Sequence, residues 1–80
     1  MEITVKYFGI IADITQKKEE VFFIEEESNT INSIKLKIEI MHPKVLDINY
    51  LIAVNKKFLQ NDILLKSSDI IALLPPFAGG

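Results

Sequence analysis

The sequence has no cysteine, no arginine and a single histidine, His42. Without cysteine it has no disulfide, no thiolate metal site and no cysteine nucleophile. All nine basic residues are lysine, so there is no guanidinium fork for bidentate phosphate recognition. One histidine leaves no multi-histidine metal cluster and little scope for a histidine relay. Nine Lys against eleven Asp plus Glu give a net charge of −2, where a nucleic-acid binder would show a basic patch. Long hydrophobic runs are missing too. The longest nearly apolar stretch, Ile70 to Ala78, is about half of what a membrane-spanning helix needs. No basic start followed by an apolar stretch marks a secretory signal. These absences predict a soluble, cytoplasmic protein that engages neither nucleic acid nor membrane.

What the sequence does contain is a core. Eighty residues make one domain, and a domain this small buries only about 60% of its unfolded surface. The composition is 49% apolar and 25% charged, which excludes disorder. Residues 2–8 alternate, with Ile3, Val5 and Tyr7 on one face and Thr4 and Lys6 on the other, the period of a half-buried strand. Phe8 falls on the polar face, either at the edge of the core or toward a partner. Gly9 ends this strand, and residues 10–16 predict a short turn of helix without a clear face. After the polar Lys17-Lys18-Glu19-Glu20, residues 20–26 predict a second strand. Its apolar residues, Val21 and Phe23 on one side and Phe22 and Ile24 on the other, suggest cover on both faces. Glu25-Glu26-Glu27 is either solvated surface or an acidic contact.

Residues 30–41 satisfy two periods. Ile34, Leu36, Ile38 and Ile40 alternate like a strand, whereas Ile31, Ile34, Ile38 and Met41 recur at helical spacing. Asn29-Thr30 offers an N-cap and His42-Pro43 a stop. A small sheet needs an element to cover one face, which favours the helix, with Leu36 and Ile40 on its outer side. His42 is expected to cap that helix or lie at the surface, not to act as a base. Residues 51–55 predict a third strand, Phe58-Leu59 a short one, and Ile70–Leu74 a central buried one. Asp62 and Asp69 fall in turns, where Asp serves the backbone. No acid pair and no phosphate-binding glycine loop appears.

Two of the three glycines and two of the three prolines fall in the last six residues, Pro75-Pro76-Phe77-Ala78-Gly79-Gly80. Proline has no N–H for a ladder, so the strand must stop at Leu74. Two prolines make a stiff extended spacer, and at ~3.1 Å per residue the tail would reach roughly 19 Å. Glycines without side chains suit a channel too narrow for other residues. The reactive group at such an end is the terminal carboxylate.

With these residues the chain resembles the small subunit of molybdopterin synthase, the MoaD-type sulfur carriers. The resemblance runs from Tyr7-Phe8-Gly9 through Thr30-Ile31, His42-Pro43 and Ala53-Val54-Asn55 to Ile71-Ala72-Leu73-Leu74-Pro75-Pro76-Phe77-Ala78-Gly79-Gly80. The chain departs from the family at Ser67 and Ser68, where an acid and a turn glycine are usual. The resemblance implies an α+β, ubiquitin-like β-grasp fold: a mixed sheet of four to five strands packed against one main helix. Residues 1–74 would form the β-grasp domain and 75–80 the extended tail. It also implies that 30–41 is helical, which the periodicity alone leaves open.

The resemblance further implies a mechanism. An E1-like (MoeB-like) adenylyltransferase would use ATP to adenylate Gly80, and a sulfur-donor protein would displace AMP to leave a thiocarboxylate. That sulfur would pass to cyclic pyranopterin monophosphate in the large (MoaE-like) subunit of a heterotetramer, building the dithiolene of the molybdenum cofactor. Gly79, Ala78, Phe77, Pro76 and Pro75 would guide the tail through the channel. Phe8, Phe58 and Phe77 would form the partner contact, although Phe58 also reads as ordinary core. The chain would bind no cofactor or metal itself and would be the carrier subunit of an enzyme, not a complete catalyst. Other readings are a carrier for thiamin or tRNA thiolation, a ubiquitin-like modifier joined through Gly80, and an interaction module with an inert tail.

Overall fold

The computed structural model describes residues 1–59 and 61–76. The chain starts in a strand, β1 (Glu2–Tyr7), and turns through a short helix, α1 (Ile10–Thr15), into β2 (Glu19–Phe23). The main helix α2 (Ile31–Met41) follows, then a 3-10 turn at Pro43–Asp47 and the strands β3 (Leu51–Val54), β4 (Lys57–Phe58) and β5 (Ile70–Leu74). All five strands form one sheet in the order β2-β1-β5-β3-β4. The β1–β5 pair is parallel and the other three pairs are antiparallel, so the sheet is mixed. This is the α+β arrangement expected of a five-stranded sheet against one main helix.

Alternation explains the core. Ile3, Val5 and Tyr7 of β1 and Ile71 and Leu73 of β5 point to one face and are buried. Ile31, Ile34 and Ile38, spaced by three and four, bring one stripe of α2 onto that face. Burying a side chain of this size contributes about 1.5–3 kcal/mol, so the helical stripe outweighs the strand-like alternation of 34–40. Leu36 and Ile40 are exposed on the outer side, as expected. Met41 is not the fourth member of the stripe, being 54% exposed. The His42 N–H closes the helix onto the Ile38 carbonyl at 2.8 Å, and the core beyond is filled by Val45, arriving from the 3-10 turn.

The second strand differs from expectation. It begins at Glu19, one residue earlier, and ends at Phe23. It is also the edge of the sheet, and α2 covers only the inner face. Phe22 and Ile24 are therefore buried, while Val21 is 48% and Phe23 71% exposed. The two-sided apolar pattern does not mean two-sided cover here. β5 is central, as expected, but only Ile71 and Leu73 reach the core; Ile70 stays exposed.

Thr30 caps α2, its hydroxyl oxygen accepting from the Ser33 N–H at 3.2 Å. A second clamp comes from far along the chain. Asp62 accepts from the Asn32 N–H at 2.9 Å, and Asn29 and Leu65 exchange two hydrogen bonds, one backbone at 2.6 Å and one from the Asn29 side chain at 3.2 Å. These bonds bring Leu65 into the core. Asp62 and Asp69 thus serve the backbone, as expected: Asp69 accepts from the Lys66 N–H at 2.8 Å.

The turn before β5 forms despite its lack of glycine. Ser68 adopts φ 73°, a left-handed conformation that costs an L-residue roughly 1–2 kcal/mol. Glycine, usual here in the resembled family, carries no such cost. Ser68→Gly should stabilise the domain by about 1 kcal/mol and raise its Tm by roughly 4–8 °C, read by calorimetry or thermal circular dichroism.

Candidate functional site

Among the described residues, the face of the sheet away from α2 carries exposed apolar side chains. Ile70, Ala72 and Leu74 alternate outward on β5. Cross-strand partners share a face, so Leu51 (opposite Leu74) and Ala53 (opposite Ala72) lie there too, as does Phe58 (opposite Ala53). Lys6 of β1 faces Ala72, and Phe8, two residues on, continues that row. The structure therefore brings Phe8 and Phe58 onto one face, at the β1 and β4 ends of it. Three strand spacings separate those strands, roughly 14 Å. Phe8 is 43% and Phe58 55% exposed, so neither is a core residue.

A groove of about 330 Å³ lies at Phe8 and is lined also by Lys6, Asn55, Lys56, Ile70 and Ala72. A second groove of about 390 Å³, also lined by Phe8, includes Tyr7, Gly9 and Ala12. Because β1 and β5 are parallel, Phe8 and the root of the tail share one end of the sheet. Pro75 there is half-buried and Pro76 exposed. Phe77, Ala78, Gly79 and Gly80, the rest of the expected site, lie outside the described residues, as does the expected reach of the tail.

A model of the ThiS family matches residues 5–80. The chain belongs to the ThiS family. Among solved structures, subunit 1 in the complex of subunits 1 and 2 of the Helicobacter pylori molybdopterin-converting factor is 32% identical, with all of both chains covered and a TM-score of 0.69. A Pyrococcus furiosus chain with the provisional name molybdopterin converting factor, subunit 1, is 24% identical over 96% of this chain and 99% of its own, with a TM-score of 0.86. Small archaeal modifier protein 1 of Methanosarcina acetivorans is 20% identical over 99% and 96%, with a TM-score of 0.82. The fold is thus the ubiquitin-like β-grasp.

In this ThiS-family chain, one polar cluster lies on the core side of the same sheet. The register places Glu20 opposite Val5, on the inner face. Its carboxylate accepts from the Tyr7 hydroxyl at 2.7 Å and from Lys17 Nζ at 2.9 Å, and His42 Nε2 lies 2.9 Å away. An ionised carboxylate has no proton to give, so Nε2 is the donor. The His42 ring also meets the Tyr7 ring edge-on, with centroids 5.9 Å apart. Burial acts to raise the Glu20 pKa. The hydrogen bonds from His42, Lys17 and Tyr7, together with the Lys17 charge, outweigh it and bring the value from 4.5 down to about 2. Tyr7 is pushed well above the usual phenol range by burial, and then by its bond to Glu20 and that carboxylate's charge.

The sequence reading missed this cluster. His42 does occupy the C-cap position of α2, but its side chain neither caps nor lies at the surface, with only 14% of it exposed. It turns inward and ties the end of the helix to β1 and β2. The signal that could have shown it was Glu20 itself, a charge on the inner side of a strand, in register with Phe22 and Ile24. Among the described residues no group of three or more His, Cys, Asp or Glu could hold a metal ion, and no helix is long and apolar enough to cross a membrane.

A carboxyl with a lowered folded-state pKa stabilises the fold above its unfolded pKa and loses that contribution as pH falls. For Glu20 the window runs from near pH 4.5 to about 2. Glu20→Gln should cost on the order of 1–3 kcal/mol at neutral pH and flatten the acid-unfolding curve within that window. Urea melts of both proteins across pH 2–5 check this, and parallel curves would contradict it.

Proposed function

We propose that this chain is the sulfur-carrier small subunit of a molybdopterin synthase. The observation that carries the reading is the 32% identity, over the whole of both chains, to subunit 1 of a two-subunit molybdopterin-converting factor. Two features of the chain support it. Its tail, Pro75-Pro76-Phe77-Ala78-Gly79-Gly80, combines a stiff spacer with a narrow end. The face beside the tail root is apolar and presents aromatic side chains, the kind that anchor interfaces.

In this reading an E1-like adenylyltransferase joins the Gly80 carboxylate to AMP, with pyrophosphate leaving ATP. A sulfur-donor protein then displaces AMP, and Gly80 becomes a thiocarboxylate. The carboxylate needs this activation because it is a poor electrophile. The sulfur passes to the cyclic pyranopterin in the large subunit, which supplies the acids and bases. Gly79 leaves the approach unhindered, while Pro75, Pro76, Phe77 and Ala78 guide the tail. Phe8, Phe58 and Phe77 form the contact with the large subunit. The chain needs no bound cofactor of its own, since the sulfur sits on its main chain.

A second reading, a protein modifier joined through Gly80 to lysines, is favoured by the fold shared with small archaeal modifier protein 1. That likeness, at 20% identity, concerns the fold alone, so the carrier reading ranks first. Mass analysis of the C-terminal peptide from native cells separates the two. The carrier reading expects a gain equal to exchanging one oxygen for sulfur, placed on Gly80. Gly80 found instead in isopeptide linkage to lysines, without that gain, would overturn it.

Two kinds of variant probe the parts. Appending one residue after Gly80 should abolish sulfur transfer while leaving the melting curve unchanged, and wild-type transfer by the extended form would refute the role of the terminal carboxylate. Phe8→Ala and Phe77→Ala should each weaken binding to the large subunit by about 2 kcal/mol, roughly thirtyfold in Kd by titration calorimetry. Unchanged affinity in both would remove these aromatics from the interface.

A further inference from the structure

Gly9 is the one glycine outside the tail, and two independent features explain why it is glycine. Its backbone has φ 56° and ψ −135°, a left-handed conformation that L side chains rarely adopt. Its Cα also lies against the root of the tail: a Cβ added there would meet Pro75 Cγ at 2.9 Å and Cδ at 3.4 Å. The first distance is shorter than real Cβ contacts allow.

Gly9 is held from both sides. Before it, the Phe8 N–H bonds to the Leu73 carbonyl at 3.1 Å, extending the β1–β5 pairing. After it, its own carbonyl accepts from Ala12 at 3.1 Å and Asp13 at 3.3 Å, forming the first turn of α1. The segment is anchored to strand and helix at once and has little room to retreat. Pro75 lies just past the last ladder residue, Leu74, and has no N–H with which to continue the pairing. With no ladder bond to fix it, the ring must be placed by packing, and Gly9 leaves no room for a Cβ between its backbone and that ring.

The geometry points to Gly9 as the positioning residue of the tail: its bare Cα is the seat on which the Pro75 ring rests, and it sets the direction in which the chain leaves the sheet. The functional consequence rests on the sulfur-carrier reading. A stiff spacer delivers its end to a partner's active site only if it starts at the right angle. An error at Pro75 is carried outward by the rigid Pro75-Pro76 pair, and misplacement by about 1 Å can cost on the order of a hundredfold in rate.

The test compares Gly9→Ala in two backgrounds, one with Pro75 intact and one carrying Pro75→Ala, which removes the two ring atoms closest to the seat. Because the chain has no cysteine, Ala78→Cys offers a single attachment point for a nitroxide label. The amides of the body that this label broadens in NMR spectra report where the tail points. With Pro75 present, Gly9→Ala should shift the broadened set to other residues; in the Pro75→Ala background it should leave that set in place. Folding of Gly9→Ala only when it is combined with Pro75→Ala supports the seat equally. A shift of the same kind in both backgrounds, or no shift in either, would overturn it, because the contact with the proline ring would then not matter. Should Gly9→Ala lose folding in both, which its φ of 56° alone would explain, Pro75→Ala with Gly9 intact decides: a broadened set unchanged from the wild-type tail would overturn the seat. In unlabelled protein, Gly9→Ala should lower kcat for adenylation of Gly80 by an ATP-dependent adenylyltransferase of the same cell, on the order of tenfold to a hundredfold, while affinity for that enzyme holds. Absence of adenylation in the wild-type protein would count against the carrier reading alone, and the label experiment would still judge the seat.

Discussion

The parallel pairing of β1 with β5 is the contact on which the rest of the molecule depends. It joins the beginning of the chain to its last strand, closing a loop of more than sixty residues, an entropic cost that burial must offset. That burial is visible on one face, where Val5 and Tyr7 of β1 lie beside Ile71 and Leu73 of β5, all buried under α2. An antiparallel pairing would have sent the end of β5 to the opposite end of the sheet. The parallel one sets Phe8 and Gly9 next to Pro75, so that the tail departs beside the apolar outer face.

Among the described residues there is one long helix, and it leaves that outer face uncovered. α2 spans eleven residues, enough to shield one side of a five-stranded sheet. With the apolar stripe of α2 committed inward, Phe8, Ile70, Leu51 and Phe58 stay exposed on the other side. A small domain gains stability by burying such residues, and in the carrier reading this exposed face is where the large subunit would dock. The two sides of the sheet therefore differ: one is buried and stabilises the fold, the other leaves apolar side chains exposed.

The polar cluster around Glu20 stabilises the same frame by different means. The inner end of β2 lies at the sheet's edge, where burial is incomplete and apolar packing alone contributes less. A carboxylate taking three hydrogen bonds there links β1, β2 and the end of α2. It leaves no buried polar side-chain atom unpartnered among the described residues. The cluster has the composition of a catalytic relay, but each member is committed to another and Glu20 is held ionised. Its geometry suits a structural clamp.

Local pattern sufficed for much of this. Alternation in Ile3, Val5 and Tyr7 dictated a strand with one buried face, because side chains on a strand must alternate. Pro75-Pro76 dictated where β5 ends, because proline cannot extend a ladder. Thr30 and Pro43 bracketed α2, since caps and stops act over a few residues. Other features could not be read this way. Segment 31–41 carried both periods, and only the sheet waiting to be covered decided between them. The exposure of Val21 and Phe23 followed from α2 covering only the inner face of the sheet, a property of how the elements pack and not of the strand. The inward turn of His42 required Glu20, twenty-two residues away, and the meeting of Gly9 with Pro75 required the β1–β5 pairing. Residues close in sequence thus determined the elements and their ends, whereas contacts between distant residues, which exist only once the chain has closed, decided edges, clamps and the exit of the tail.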